Sequence, residues 1–201
     1  MFIKKISQGL LIAALMVCCT NPFATRSVEK PATDKNSDNF DQPTSNEAVL
    51  SNLRYALIQK NVSNYMSCFI DTSLVKSFVY SFKPDESFPA ERFQGWSLID
   101  EENYFINVFT EPGTVSFEYI DAIEDITFTP ISAAIDSVQT SPFEYKLQVE
   151  LDSLATFSGI ARMKLVKNSN SLWAIYYWED TRNAEGNPNT WSSLKADYRY
   201  N

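Results

Sequence analysis

Apolar positions along this chain change their period as the chain proceeds. Residues 10–17 are an unbroken apolar run. After a polar stretch, Val49, Leu50, Leu53, Ala56 and Leu57 recur at three- and four-residue intervals, the stripe of an amphipathic helix. Thr44-Ser45-Asn46-Glu47 ahead of them has capping-box spacing, and Asn61 is the expected break. Residues 62–70 predict a second short helix, capped by Asn61 or Ser63, with Tyr65, Cys68 and Phe69 facing inward. Residues 75–82 are β-rich and end at Lys83-Pro84-Asp85. A third helix starts at Ser97 with Asp100 at N3, carries Leu98, Glu101, Tyr104, Phe105, Val108 and Phe109 on one face, and stops before Pro112-Gly113.

Beyond Gly113 the period falls to two, and sheet is expected throughout. Val115, Phe117 and Tyr119 alternate with polar neighbours, and residues 123–134 form an extended segment interrupted at Pro130. The cleanest alternation is residues 143–151, apolar on one face and polar on the other. Residues 160–167 and 172–178 form a hairpin across Asn168-Ser169-Asn170-Ser171. Its second strand is heavy on both faces, Trp173, Ile175 and Tyr177 against Ala174, Tyr176 and Trp178, which predicts a central place in the sheet. Trp191, Leu194 and Tyr198 at i, i+3 and i+7 predict a short C-terminal helix docked on the sheet edge or cone mouth.

The opening apolar run is too short for a transmembrane helix, which needs roughly 20 residues. With Lys4 and Lys5 before it and no acid, it reads as an export signal. It ends on Cys18-Cys19 and resembles the lipobox of bacterial lipoproteins, whose cysteine is lipidated and becomes the mature N-terminus. Cys18 has Leu15 at −3 and Val17 at −1; Cys19 has Met16 at −3 and Cys18 at −1, so either cysteine is a candidate attachment point. The expectation is a protein outside the cytoplasm, anchored by lipid to a membrane of the bacterial envelope, in the periplasm or on the surface. Residues 1–19 form the signal and 20–45 a disordered tether rich in Asn, Asp, Ser, Thr and Pro; 46–201 form the domain. A coil of about 25 residues reaches roughly 25–30 Å.

Composition narrows the classes. Losing Lys4 and Lys5 with the leader moves the formal net charge from −8 to −10, a surface that repels phosphate backbones and excludes nucleic acid as an expected partner. The chain has 14 Phe, 10 Tyr and 4 Trp, aromatic area enough for one core. Only Cys68 remains beyond the leader, so no disulfide framework is expected within the domain. No histidine is present, which removes the commonest general base and metal ligand, and no metal site or cofactor is expected. Without a histidine to activate it, Cys68 reads as a buried small hydrophobe.

Helix, helix, strand, helix and then successive antiparallel strands resemble the NTF2-like, or cystatin-like, cone: α+β, with three helices from the N-terminal half packed on a strongly curved antiparallel sheet. The resemblance is sharpest in Leu172-Trp173-Ala174-Ile175-Tyr176-Tyr177-Trp178-Glu179-Asp180, in Thr190-Trp191-Ser192-Ser193-Leu194-Lys195, and in Asn52-Leu53-Arg54-Tyr55-Ala56. These are similar to uncharacterised bacterial lipoproteins with NTF2-like domains, over residues 46–198. The motifs are packing residues and speak to fold.

The resemblance implies a cone interior in which enzymatic relatives place an Asp with a His or Tyr. Here the polar groups available to such a pocket are Tyr119, Asp121, Tyr145, Arg162, Trp173 and Tyr177, with Glu118, Glu179 and Asp180 nearby. Glu179 and Asp180, at a strand end, also fit a solvated turn, and Arg162 and Lys164 fit an exposed strand face. With no assigned catalytic residue, the expected function is non-catalytic binding of a small ligand or an envelope protein. The competing expectation is a small lyase, isomerase or hydrolase that uses a pocket carboxylate. A homodimer through the sheet is an assembly this fold allows.

Overall fold

The computed structural model describes residues 40–199 apart from 111, 133–134, 151–152 and 185–186. The expected leader, with Cys18 and Cys19, and residues 20–39 of the expected tether lie outside the described residues. Residues 40–44, read from sequence as the end of the tether, are packed on the domain. The Asn52 side chain bonds both the N–H and the C=O of Asp41, at 3.0 and 2.7 Å, and Trp173 N donates to Pro43 O at 2.8 Å.

Helix α1 (Asn46–Ile58) is capped by Ser45, whose side chain accepts from Ala48 N, one residue later than the Thr44 box expected from sequence. It ends in a Schellman motif rather than at Asn61. Lys60 turns left-handed (φ 55°), Lys60 N bonds Leu57 O, and Asn61 N bonds Ala56 O. The Asn61 side chain then caps α2 (Val62–Met66) by accepting from Asn64 N. The second helix therefore stops four residues short of expectation, although Tyr65, Cys68 and Phe69 are all buried as expected. Helix α3 (Leu98–Phe109) begins as predicted, with Asp100 accepting from Ser97 N at 2.8 Å.

The sheet contains β1 (Ser81–Lys83), β2 (Val115–Tyr119), β3 (Phe128–Ser132), β4 (Ser137–Thr140), β5 (Phe143–Glu150), β6 (Leu154–Lys167) and β7 (Trp173–Thr181). Long β6 is its spine. Along one edge it pairs first with β5 and then with β4, interrupted only at Ser141-Pro142, while β2 and β3 continue that broken layer outward. The interruption bends the two halves of the sheet relative to one another, and the result is a curved, unclosed α+β cone with the helices on its concave side. Pro130 sits within β3 where the β3–β4 register shifts, on an edge strand that can do without its N–H.

The other edge of the spine carries β7, whose outer edge is covered piecewise. Pro43 bonds Trp173, Cys68 and Ile70 bond Ile175, and β1 runs parallel along Tyr177–Glu179. Only Ser81–Lys83 of the β-rich stretch 75–82 becomes a strand. Within β7, Lys164 pairs with Tyr177 but Leu165 pairs with Ile175, so Tyr176 is an extra residue. This bulge reverses the alternation that strict periodicity predicts. Ile175 points in, then Trp178 and Asp180 point in, and Tyr177 and Glu179 turn outward.

Helix α4 (Trp191–Asp197) is the short C-terminal helix expected from spacing, but it fills the concavity and does not dock on the sheet edge or cone mouth. The Trp191 ring lies 5.4 Å from that of Phe117, 5.0 Å from Tyr145 and 4.4 Å from Trp178, touching three strands of the cone wall. One close approach beside it sets a packing limit. A Cβ on Gly159 would lie 2.6 Å from Thr181 O and 2.8 Å from the Tyr145 hydroxyl. Gly159→Ala is therefore expected to lose about 1–3 kcal/mol in urea unfolding through overpacking; an unchanged midpoint would show that β6 and β7 separate there without cost.

Candidate functional site

The capping box that starts α3 sets its register, and Glu101 falls on the same helical face as Tyr104, Phe105 and Val108. That face is the core, so the carboxylate is carried to full burial, 0% exposed. Three neutral donors converge on it from separate segments. Tyr65 of α2 donates to Oε1 at 2.6 Å; Tyr80, just before β1, and Trp96, just before α3, donate to Oε2 at 2.8 Å each. The countercharge comes from α4, where Lys195, also 0% exposed, places Nζ 2.6 Å from Glu101 Oε1. Nζ makes an ion pair there without an aligned hydrogen bond. It lies 3.9 Å from the Phe82 ring centroid and 4.0 Å from that of Trp178, with Tyr104 and Trp96 at 5.6 and 5.8 Å. Burial draws the Lys195 ammonium below the usual lysine range, while Glu101 and Asp180 oppose that shift.

A second buried carboxylate, Asp180 near the end of β7, holds the start of α4. It accepts from Tyr145 Oη at 2.7 Å, Ser192 N at 2.6 Å and Ser192 Oγ at 2.5 Å. Trp191 N donates to Tyr145 Oη and Trp191 Nε1 to Tyr104 Oη, both at 2.7 Å. Burial lifts Asp180 above the ordinary carboxylate value, against the bonds from Ser192 and Tyr145. Tyr65, Tyr80 and Tyr104 are raised well above the ordinary phenol value, first by burial and then by the Glu101 charge, and Tyr145 first by burial and then by the Asp180 charge. They remain protonated donors at neutral pH and cannot serve as bases.

The six residues proposed from sequence as one pocket are not brought together. Tyr145 alone is in the interior network. Tyr119 is half-buried and donates to Leu50 O at 2.8 Å; with Arg54 and exposed Asp121 it lines a shallow outer groove of about 340 Å³. Arg162 and Tyr177 lie on the convex face of the sheet, Arg162 3.4 Å from Glu179 and Tyr177 under Lys164 Nζ at 4.6 Å. Trp173 lines a separate groove of about 950 Å³ beside Phe40, Pro43, Met66 and Leu74. The β7 bulge is the physical reason for Tyr177, since it turns that ring outward and puts Trp178 in its place. It also corrects the reading of Asp180 as a solvated turn acid: Asp180 lies inside β7 and is fully buried.

Sequence reasoning did not single out Glu101 and Lys195, and yet both carried a signal. Glu101 is the one charge among the inward positions of α3, and Lys195 stands between Trp191, Leu194 and Tyr198 on the apolar face of α4. Opposite charges on two apolar faces are a pattern that only mutual burial satisfies. Among the described residues, no group of three His, Cys, Asp or Glu could hold a metal ion.

No protein-family model matches the chain. No curated protein matches it. Among solved structures it is similar to a nuclear transport factor 2 (NTF2-like) superfamily protein from Salmonella enterica, 13% identical over 68% of this chain and 87% of that one, TM-score 0.49. It is also similar to a ketosteroid isomerase-like protein from Erwinia carotovora atroseptica, 12% identical over 69% and 93%, TM-score 0.47. A protein of unknown function with a cystatin-like fold from Nostoc punctiforme is 10% identical over 68% and 86%, TM-score 0.42. One of these is named as an NTF2-like superfamily protein and another as having a cystatin-like fold, and likenesses at these identities say nothing of what this chain does.

Removing one member of the buried pair strands the other charge. Lys195→Met and Glu101→Gln are each expected to cost about 3–5 kcal/mol in urea unfolding, with the double variant recovering most of the loss. Additive losses would mean that the pair is not coupled. Asp180 gives a pH signature. Its folded pKa is raised above 3.8, so between 3.8 and that raised value the native chain binds the proton more readily than the unfolded chain. The stability advantage of wild type over Asp180→Asn should therefore be largest in acid and shrink as pH rises through that window. Paired urea melts across pH would show it, and an advantage that grew with pH would contradict the assignment.

Proposed function

We propose that this is an exported, lipid-anchored protein of the bacterial envelope whose domain binds a ligand or another protein without transforming it. The observation that supports binding over catalysis is the closed interior. Glu101, Asp180 and Lys195, the buried charges that could move a proton, are 0% exposed and paired with one another or with donors of the same network. A substrate has no route to them while α4 is seated. The export and anchoring reading rests on the charged leader, the apolar run and the cysteine pair Cys18-Cys19, followed by a polar tether long enough to hold a domain clear of headgroups.

The competing reading, a small lyase, isomerase or hydrolase, would rest on Asp180, whose carboxyl is lifted by burial and bonded to Tyr145. That pair has the chemistry of a proton shuttle but lacks space for a reacting molecule beside it.

The full-length chain, expressed in a bacterial host with labelled palmitate, should incorporate label and partition into detergent. Globomycin should leave an unprocessed precursor, and either Cys18→Ala or Cys19→Ala should abolish labelling. A water-soluble mature form beginning beyond Cys19 would remove the anchor from the proposal. Turnover of an ester, hydratable or enolisable substrate that Asp180→Asn abolishes with the fold retained would replace binding by catalysis.

A further inference from the structure

The interior ion pair has an asymmetry in its origins. Every group that surrounds Lys195 Nζ belongs to the body of the domain: Phe82 of β1, Trp178 of β7, Tyr104 and Glu101 of α3, and Trp96. The three neutral donors to Glu101, from Tyr65, Tyr80 and Trp96, also come from the body. The carboxylate is thus positioned without any help from α4, and rings stand around the point where a positive charge is needed. What α4 brings is the cation alone, on an unbranched four-carbon stem, with an indole at the start of the helix to fill the rest of the concavity. An ammonium held by aromatic faces and one carboxylate is the arrangement by which proteins recognise organic cations as ligands.

The occupant, moreover, is a separable piece of structure. At seven residues α4 is too short to persist as a helix by itself, so its folded form depends on being seated. Its other polar ties to the body include Trp191 N to Tyr145 Oη and Trp191 Nε1 to Tyr104 Oη in the interior, Ser192 to buried Asp180, Asp85 N to Ser192 Oγ, and Arg199 to Asp100 just past the helix. A ligand that unseats the helix must release these bonds along with the ion pair.

We infer that the cone is a binding site for organic ammonium groups that the chain occupies in cis with Lys195, and that α4 is a tethered plug which a ligand bearing an alkylammonium or methylated ammonium displaces. The inference rests on the reading of the domain as a binding module and gives that module a ligand class. When α4 withdraws, the ligand's cation takes the position of Nζ between Phe82 and Trp178 and pairs with Glu101. Its stem enters where the lysine methylenes and the Trp191 ring now lie. No covalent step is involved.

The test uses the full chain and n-butylammonium chloride, with sodium chloride at equal ionic strength and n-butanol as controls. In wild type, amide hydrogen exchange at residues 191–198 should rise at least fivefold on titration with n-butylammonium, while β6 and β7 keep their protection. In Lys195→Ala, which leaves the cage without its cation, n-butylammonium should raise the melting temperature by about 4 °C at ten times its dissociation constant. Neither control should do so. If Lys195→Ala does not fold, the wild-type exchange decides by itself. Unchanged exchange in wild type overturns the plug, even where the variant is rescued, and a folded variant indifferent to the cation overturns the cage. Either failure leaves the palmitate and turnover tests untouched, so the ligand class and the binding reading fall separately.

Discussion

Burying an ammonium and a carboxylate costs several kcal/mol for each ion even after local relaxation. Lys195 and Glu101 are both withdrawn completely from solvent, so the surrounding structure has to offset that cost. It does so unequally. Glu101 exchanges water for two phenols and an indole N–H, which satisfy both of its oxygens. Lys195 exchanges water for ring faces and a single anion. The pair joins a helix at the middle of the chain to the last helix, and its donors come from α2, the approach to β1 and the approach to α3. Those segments must be in place together before the charges can be left without water. The irregular stretch from 67 to 80, which has little secondary structure of its own, is ordered by that requirement and by the hydrogen bonds of Cys68 and Ile70 to β7.

The sheet supplies the space for this centre. A flat sheet of these strands would leave α4 on a surface, where Lys195 would stay hydrated and Glu101 would lack its partner. Two irregularities prevent it. The break at Ser141-Pro142 lets β4 and β5 follow one edge of β6 at different angles. The bulge at Tyr176 then turns Trp178 and Asp180 inward together. Curvature therefore does more than wrap the helices: the same bulge that bends β7 delivers one wall of the cation cage and the carboxylate that receives Ser192.

Periodicity was sufficient for the regular parts of this fold. The faces of α1 and α3, the alternation of β5 and the existence of the C-terminal helix follow from spacing, because the period there is unbroken, and the β6–β7 hairpin follows from its polar loop. Boundaries slipped where hydrogen bonds override pattern, as at Lys60, where a left-handed residue closes α1, and at Met66, where α2 gives way to turns. The site was less legible, for a physical reason. One extra residue in β7 inverts which side chains face the core, and nothing in the composition of Tyr176-Tyr177-Trp178 announces it. Tyr177 was accordingly placed inside, opposite to the structure, and Asp180 was left between a pocket group and a solvated turn acid, of which the structure bears out burial. Glu101 and Lys195 could have been found from the sequence, but only by setting two apolar faces from distant segments side by side and asking why each contained one charge of opposite sign.

Three body carboxylates grip the C-terminal segment at regular intervals: Asp180 takes Ser192, Glu101 takes Lys195, and Asp100 takes Arg199 at 2.8 Å. The spacing of those contacts, i, i+3 and i+7, is that of one face of a helix. The ion pair of Arg199 with part-exposed Asp100 lies beyond the helix end and could be exchanged for water by a shifted helix, and Asp180, though fully buried, keeps its bond from Tyr145 when Ser192 moves. The middle contact cannot be replaced in that way, because a displaced Lys195 would leave Glu101 buried with a full charge and neutral donors alone. Sliding α4 by one residue would rotate the lysine by about 100° away from the carboxylate. The buried pair thus permits one register for a helix too short to define its own, and apolar contacts by themselves would discriminate less sharply among neighbouring registers. The same argument identifies what can unseat α4. Neither water nor a second cation reaches Glu101 without opening the cone, but a cation that enters as the lysine leaves would restore the charge balance, which water alone would not.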